Sequence, residues 1–255
     1  MMQTRRIQQN FSRAAASYDA HAKFQQQQAR RVYNAAMQVM PELASIADIG
    51  CGTGEFARIA AAARPGWRIT GIDFAQAMAR QAAARCAYTL VANATALPLA
   101  DASIDGAVSS LCMQWVEDKA AMLAEIRRVL RPDGVAVLIT LADRTLWELR
   151  QAGVAAGINL SILPMLPVED YRMLADASGM QLLGFQQTVE LDTYPSVEAL
   201  LGSIRAIGAG SAEGARGHIT PRKFARMIQH YEAAHGSARG ITASWQPVLM
   251  ILRKR

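Results

Sequence analysis

Asp48-Ile49-Gly50-Cys51-Gly52-Thr53-Gly54 is the stretch that decides the fold. The short run Ile46 to Ile49 leads into it and reads as a buried strand. Alternate glycines permit a tight turn and let a ligand approach the backbone closely. A helix reaching to about Arg64 follows, and its first N–H groups lack partners within the helix. Strand, glycine turn and helix in that order open an α/β domain with an anion-tolerant cleft at the turn.

Downstream, the alternation continues. Pro65-Gly66 stops the helix, Trp67 to Ile72 is a second strand ending at Asp73, and Ala75 to Arg85 is a second helix. Tyr88 to Ala92 and Ile104 to Ser109 read as further strands. Met122, Leu123, Ile126, Val129 and Leu130 share one helical face, and Pro132-Asp133-Gly134 is expected to end that helix. Val135 to Leu141 is almost wholly apolar, as a strand covered on both faces should be. This βαβ order predicts a parallel sheet with right-handed crossovers.

Upstream, residues 1–40 read as a helical cap: Phe11, Ala14 and Tyr18 lie on one stripe, and a second helix spans about Ala22 to Met40 before Pro41. Past Ala142, helices are expected at 145–156, 168–177, 196–206 and 221–235, with a single strand near 181–191 and a terminal strand from Trp245 to Leu252. The glycine-rich Gly208 to Gly217 lies between the last two helices. Residues 193–240 therefore read as a lid inserted before the last strand of a single 1–255 domain.

The glycine pattern also discriminates between cofactors. A dinucleotide turn is spaced GxGxxG. Here the spacing is GxGxG, and Glu55 would repel a pyrophosphate. S-adenosylmethionine (SAM) carries no phosphate, and its anionic end is one carboxylate. Asp48, Gly50, Gly52 and Gly54 are the candidates for that end of the cofactor. Asp73, nineteen residues after Gly54 at a strand end, is placed to accept from both ribose hydroxyls. Phe74 and Met78 are candidates for the adenine face. Asn93 and Ala94, after the third strand, are candidates for the adenine edge, and Leu111 follows the fourth.

Composition narrows the class. Of 255 residues, 51% are apolar and 19% charged, which fits a globular chain with a sizeable core. The net charge of +6 admits nucleic acid, an anionic surface or an acidic protein as partner, but no basic block interleaved with aromatics favours nucleic acid. Cys51, Cys86 and Cys112 are too scattered for a disulfide framework or a zinc site and fit reduced thiols of the cytoplasm. The polar start lacks the apolar core of a signal peptide, and no apolar run is long enough to span a bilayer.

Three blocks outside the glycine turn carry a more specific resemblance: Phe11-Ser12-Arg13-Ala14-Ala15-Ala16-Ser17-Tyr18, then Ser110-Leu111-Cys112-Met113-Gln114-Trp115 with Arg127-Arg128-Val129-Leu130-Arg131-Pro132-Asp133-Gly134, then Ser203-Ile204-Arg205-Ala206-Ile207-Gly208-Ala209. Over most of its length the chain resembles the malonyl-[acyl-carrier protein] O-methyltransferases of biotin synthesis. The resemblance implies a Rossmann-like class I SAM methyltransferase with a mostly parallel seven-stranded sheet and helices on both faces. It implies an acidic acyl carrier protein carrying malonyl, or malonyl-CoA, as acceptor. Tyr18, Gln114 and Arg205 are the candidate acceptor-site residues, with Arg205 as a cation for the malonyl carboxylate. Two places depart from the family: Asn93 stands where an Asp is usual, and the stretch at the final strand reads Thr242-Ala243-Ser244-Trp245-Gln246-Pro247, where a Thr-Tyr type start is usual. Two other readings remain open at this level, a quinone-type methyltransferase and a non-catalytic SAM-binding interaction protein.

Overall fold

The computed structural model describes residues 2–160, 162–210 and 219–255. The chain starts with α1 (Met2–Ala14), α2 (Tyr18–His21) and α3 (Lys23–Val39). The alternating part follows: β1 (Ala44–Ile49), α4 (Glu55–Ala63), β2 (Trp67–Asp73), α5 (Gln76–Ala82), β3 (Tyr88–Val91), β4 (Ile104–Ser110), a 3-10 turn at Met113–Trp115, α6 (Lys119–Val129) and β5 (Leu130–Leu141). The last part is α7 (Trp147–Ala155), α8 (Val168–Ala177), β6 (Gln181–Gln187), β7 (Glu190–Tyr194), α9 (Val197–Ala206), α10 (Pro221–His235), β8 (Gly236–Ser237), β9 (Gly240–Trp245) and β10 (Pro247–Arg253).

Seven strands form one sheet in the order β3-β2-β1-β4-β5-β10-β6. β1, β2, β3, β4 and β5 pair in parallel, whereas β10 runs antiparallel to both β5 and β6. The chain moves outward from β1 to β3 and then returns to the other side of β1 at β4. That reversal opens a crevice at the carboxyl ends of β1 and β4, where open α/β sheets hold their ligands. The glycine turn leaves β1 at this point, and Ser110 and Leu111 leave β4.

Apolar residues cover both faces of the sheet. One face carries Met122, Leu123, Ile126, Tyr171 and Met250, and the other carries Val32, Tyr33, Phe56, Trp67 and Ile139. α6 shows how the sequence achieves this. Asp118 caps it by accepting from the Ala121 N–H at 2.8 Å, and the stripe Met122, Leu123, Ile126, Val129 is fully buried. Each such side chain contributes about 1.5–3 kcal/mol on burial. Ile126→Ala would remove about 2–5 kcal/mol by leaving a cavity.

Three expectations need correction. The helix α6 ends at Val129, before Pro132-Asp133-Gly134, because Leu130 already pairs with Ile104 in the sheet. Pro132 to Gly134 forms an irregularity within β5, with Asp133 at φ 62°. The single strand near 181–191 is two strands in two sheets: β6 joins the large sheet, while β7 pairs with β9 and β9 with β8 in a separate three-stranded sheet. The terminal strand begins at Pro247 rather than Trp245, because Trp245 belongs to β9 of the small sheet. Gln246 forms the joint. Its side chain accepts from the Arg144 N–H at 3.0 Å and donates to Gln187 Oε1 at 3.2 Å, and its own N–H donates to Thr145 Oγ1 at 3.0 Å.

The segment 193–240 thus carries α9, α10 and β8, and the small sheet joins it to the body. Phe24 of α3 stacks on Trp245 of β9 with ring centroids 4.7 Å apart, and Tyr231 of α10 donates its hydroxyl to the Thr242 carbonyl at 2.9 Å. Of the glycine-rich run, residues 211–218 lie outside the described residues.

Candidate active site

The glycine turn has two distinct backbone requirements. Gly50 adopts φ +73°, and a Cβ there would lie 2.4 Å from Cys112 Cβ, so the turn is pressed against the chain leaving β4. Gly52 adopts φ +54° and a Cβ there would meet nothing within 4 Å, so its backbone is bared toward the crevice. Gly54 is left-handed at φ 85° and begins α4. Asp73, at the end of β2, locks the turn from the other side. Its Oδ2 accepts from the Gly52 N–H at 2.9 Å and its Oδ1 from the Ala75 N–H at 2.8 Å. Each oxygen keeps a second lone pair.

A small polar cavity of about 50 Å³ lies over the turn, lined by Tyr18, Gln25, Asp48, Gly50, Gly52 and Ser110 among others. Two of its polar atoms, Asp48 Oδ2 and Ser110 Oγ, are buried without a hydrogen-bond partner among the described residues. An orphaned buried carboxylate oxygen is costly unless something cationic or protic reaches it. Burial, with the Asp73 carboxylate nearby, pushes the Asp48 carboxyl up to about 7. Burial also raises Asp73, against the two backbone N–H groups that lower it. An acceptor beside a hydroxyl donor matches the ammonium and carboxylate of an amino-acid end, so the residues present fit that end of SAM. The glycine motif in the sequence marks Asp48 but neither Ser110 nor Gln25. Ser110 is the last residue of β4 on the crevice side, a position that topology makes visible and composition does not.

The adenine candidates are arranged differently. Met78 is buried against Ala15, with Phe11 and Tyr18 packed alongside, so α1 covers it. Phe74 is half-buried, and its carbonyl accepts from Gln8 Nε2 at 2.6 Å. Ala94 is buried with Leu97 in the core. Asn93 is exposed, and its Oδ1 accepts from the Thr95 N–H at 3.1 Å, a local turn that occupies one of its lone pairs.

Beside the polar cavity is a larger one of about 400 Å³. Tyr18, Gln114 and Arg205 all line it, although they come from α2, the 3-10 turn and α9. Leu111 lines this cavity rather than the polar one, with φ +56° at the end of β4. The remaining wall is almost wholly apolar: Phe11, Trp115, Leu149, Ile162, Ile204, Phe224 and Trp245 are representative. Gln114 is buried and accepts from Thr140 Oγ1 at 3.0 Å. Tyr18 and Gln25 line both cavities and form the wall between them. Tyr18 as a residue is half-buried, but its hydroxyl lies inside. That burial, with the Asp73 and Asp19 charges, raises it above the ordinary tyrosine value. The hydroxyl therefore stays protonated as a hydrogen-bond donor. No histidine, aspartate, glutamate, lysine or cysteine lines the large cavity among the described residues.

Comparison with known proteins gives the family. Residues 47–138, from β1 into β5, match the family model described as "Methyltransferase domain". The solved structure of geranyl diphosphate methyltransferase in complex with SAM superposes with a TM-score of 0.56, at 15% identity over 90% of this chain and 85% of that one, a likeness of fold. The malonyl-[acyl-carrier protein] O-methyltransferase of Serratia marcescens is 37% identical, covering 89% of this chain and 88% of the relative. That of Geobacter sulfurreducens is 32% identical over 97% of this chain and 98% of the relative. Likeness at this level over nearly the full length of both chains extends to α1, α9 and the small sheet, which lie outside the shared methyltransferase core. The chain belongs to the malonyl-[acyl-carrier protein] O-methyltransferase family, a family of SAM-dependent methyltransferases.

Proposed function

We propose that the chain methylates the free carboxylate of a malonyl thioester, held on an acidic acyl carrier protein or on coenzyme A. The product is the methyl ester that primes pimeloyl synthesis for biotin, and the setting is the cytoplasm. No helix among the described residues is long and apolar enough to cross a membrane.

One observation carries the substrate class: the acceptor cavity has no general base among its described residues. A phenol or amine acceptor must lose a proton and needs a base within reach. A carboxylate is already ionised at neutral pH and needs none. SAM, when bound, supplies the electrophilic sulfonium methyl group. Asp48, Ser110 and the carbonyl of Gly52, whose own N–H is held by Asp73, are the groups we assign to its amino-acid end, with Asp73 on the ribose hydroxyls. The Tyr18 hydroxyl, kept protonated, donates across the wall between the two cavities and orients an acceptor oxygen there. Gln114 contributes its amide. Arg205 is exposed at the cavity rim and attracts the malonyl carboxylate without a tight pair that would blunt the nucleophile. The apolar wall excludes water, so the chain's work is alignment rather than proton transfer.

The exposed Arg222, Lys223 and Arg226 on α10 adjoin Phe224, which lines the cavity. They provide a basic rim for an acidic carrier, and capture should weaken as salt rises. Transfer of labelled methyl from SAM to malonyl-carrier protein tests the reading. At saturating SAM, malonyl thioesters should react with no base-like pKa near neutrality in the rate, and thioesters lacking a free carboxylate should not. A protein that binds SAM but leaves both malonyl-carrier protein and malonyl-CoA unmethylated would overturn it.

A further inference from the structure

The polar cavity over the glycine turn measures about 50 Å³, whereas sites that hold a whole small molecule span about 300–1,000 Å³. The N-terminal segment accounts for the shortfall. α1 lies across Phe74 to Met78, where Gln8 bonds the Phe74 carbonyl and Ala15 packs with Met78. α2 then lies over the turn itself, and one side chain fastens it there. Asp19 Oδ1 accepts from Thr53 Oγ1 at 2.6 Å, and Asp19 Oδ2 accepts from Arg85 Nη2 at 2.7 Å. Arg85 Nη1 also donates to the Thr53 carbonyl at 3.1 Å, which closes a three-residue ring. Thr53 stands between Gly52 and Gly54, so the ring fastens the segment to the part of the turn that faces the crevice. The Asp19 backbone is held in turn by Gln26, whose Nε2 donates to the Asp19 carbonyl at 2.8 Å.

We propose that Asp19 is a positioning residue. Its bridge to Thr53 and Arg85 clamps residues 2–21 over the cofactor cleft, and release of that clamp admits and discharges the cofactor. The proposal rests on the SAM reading of the cleft. It assigns Asp19 no contact with the reacting atoms. Both bonds are charge-assisted, but Asp19 and Arg85 remain partly open to solvent, so the clamp is weak enough to open in each turnover.

Calorimetry and stopped-flow binding of S-adenosylhomocysteine to the full chain test it, alongside limited trypsin cleavage at Arg5, Arg6 and Arg13. Asp19→Ala and Arg85→Ala should each weaken binding about ten-fold, mainly through faster release, as expected for one lost charge-assisted hydrogen bond. The double variant should be no worse than either single one. Asp19→Glu should recover most of the affinity, and Asp19→Asn little. In turnover, KM for SAM should rise while kcat at saturation stays within about twofold, the pattern of lost uniform binding. Ligand should protect the N-terminal arginines from trypsin in the wild type and fail to do so in Asp19→Ala, with the melting midpoints of the two proteins close together. Unchanged release and unchanged protection in both single variants, or effects that simply add, overturn the clamp while the cofactor reading stands. If Asp19→Ala does not fold, Arg85→Ala with the Glu and Asn variants decides by the same readouts. A wild type that binds no S-adenosylhomocysteine overturns the cofactor reading and the clamp with it.

Discussion

The two cavities share Tyr18 and Gln25 as a common wall, yet they are built in different ways. Beneath the roof that α2 and α3 lay over it, the polar cavity is local: Asp48 to Gly54 supplies the turn, Asp73 fastens it, and Ser110 arrives from the neighbouring strand. The large cavity draws on α1, α2, α3, α7, α9, α10 and β9, elements separated by more than two hundred residues of chain. Among the described residues, the polar cavity holds unpartnered oxygens in a buried setting, and the large one offers few polar groups. A universal donor needs one fixed polar geometry at the sheet's switch point. An acceptor is met by surfaces that loops and inserted helices shape separately.

If the contrast holds, changes on one side should leave the other intact. The largest effect is expected at the turn. Gly50→Ala adds a Cβ 2.4 Å from Cys112 Cβ at a positive φ, so it should cost about 2–4 kcal/mol of stability from overpacking and backbone strain. Thermal melting should show the loss, and cofactor binding should fall with it. If the large cavity holds the acceptor as proposed, Ile204→Trp, which fills it, should slow malonyl transfer by about 100-fold or more through misalignment of the reactants. Its affinity for S-adenosylhomocysteine should match the wild type, and a parallel loss of both would break the separation.

Asp48→Asn sharpens the comparison by setting stability against binding. The folded carboxyl titrates near 7, above the ordinary aspartate value of about 3.9 in the unfolded chain. The ligand-free fold therefore holds the proton more tightly than the unfolded chain does. That contribution to stability is complete below about pH 4 and is lost as pH rises through about 7. Asp73 adds in the same direction. The variant should flatten this decline and melt higher than wild type at pH 8, by roughly 1–3 kcal/mol, the cost of a buried unsatisfied group. It should nevertheless bind SAM more weakly. Denaturation across pH 4 to 8 reads the first effect, and calorimetry reads the second.

The smallest effect is expected at Asn93. Its side chain is exposed and committed to the Thr95 N–H, so Asn93→Asp should keep that turn and change SAM affinity by no more than about 1 kcal/mol, toward tighter binding. A clear loss measured by calorimetry would place the residue outside the adenine contact.

What the sequence made legible follows the same division. Hydrophobic runs and glycine spacing mark β1 through β4 and the Val135 to Leu141 part of β5, because each run is short and bounded by turn signals. Pro132-Asp133-Gly134 misled at one point, since its turn chemistry suits a strand irregularity as well as a helix end. Past Ala142 the signals weaken. Nothing in residues 181–191 announces that Thr188 and Val189 divide two sheets, because both halves carry strand-forming residues and the division is set by pairing partners far away. Tyr18, Gln114 and Arg205 follow from the resemblance, and their meeting in one cavity is a product of tertiary packing. Asp19 went unnoticed because an aspartate on a short helix carries no signature until its partners Thr53 and Arg85 are in place.

Gln246 has a mechanical consequence. One continuous stretch, Gly240 to Arg253, serves first the small sheet and then the large one, and the residue at the changeover is anchored on three sides. A flap needs a compliant pivot, and this junction offers none. Whatever adjustment the small sheet makes when an acceptor enters is therefore a slide of packed layers over about an ångström or two, not a swing.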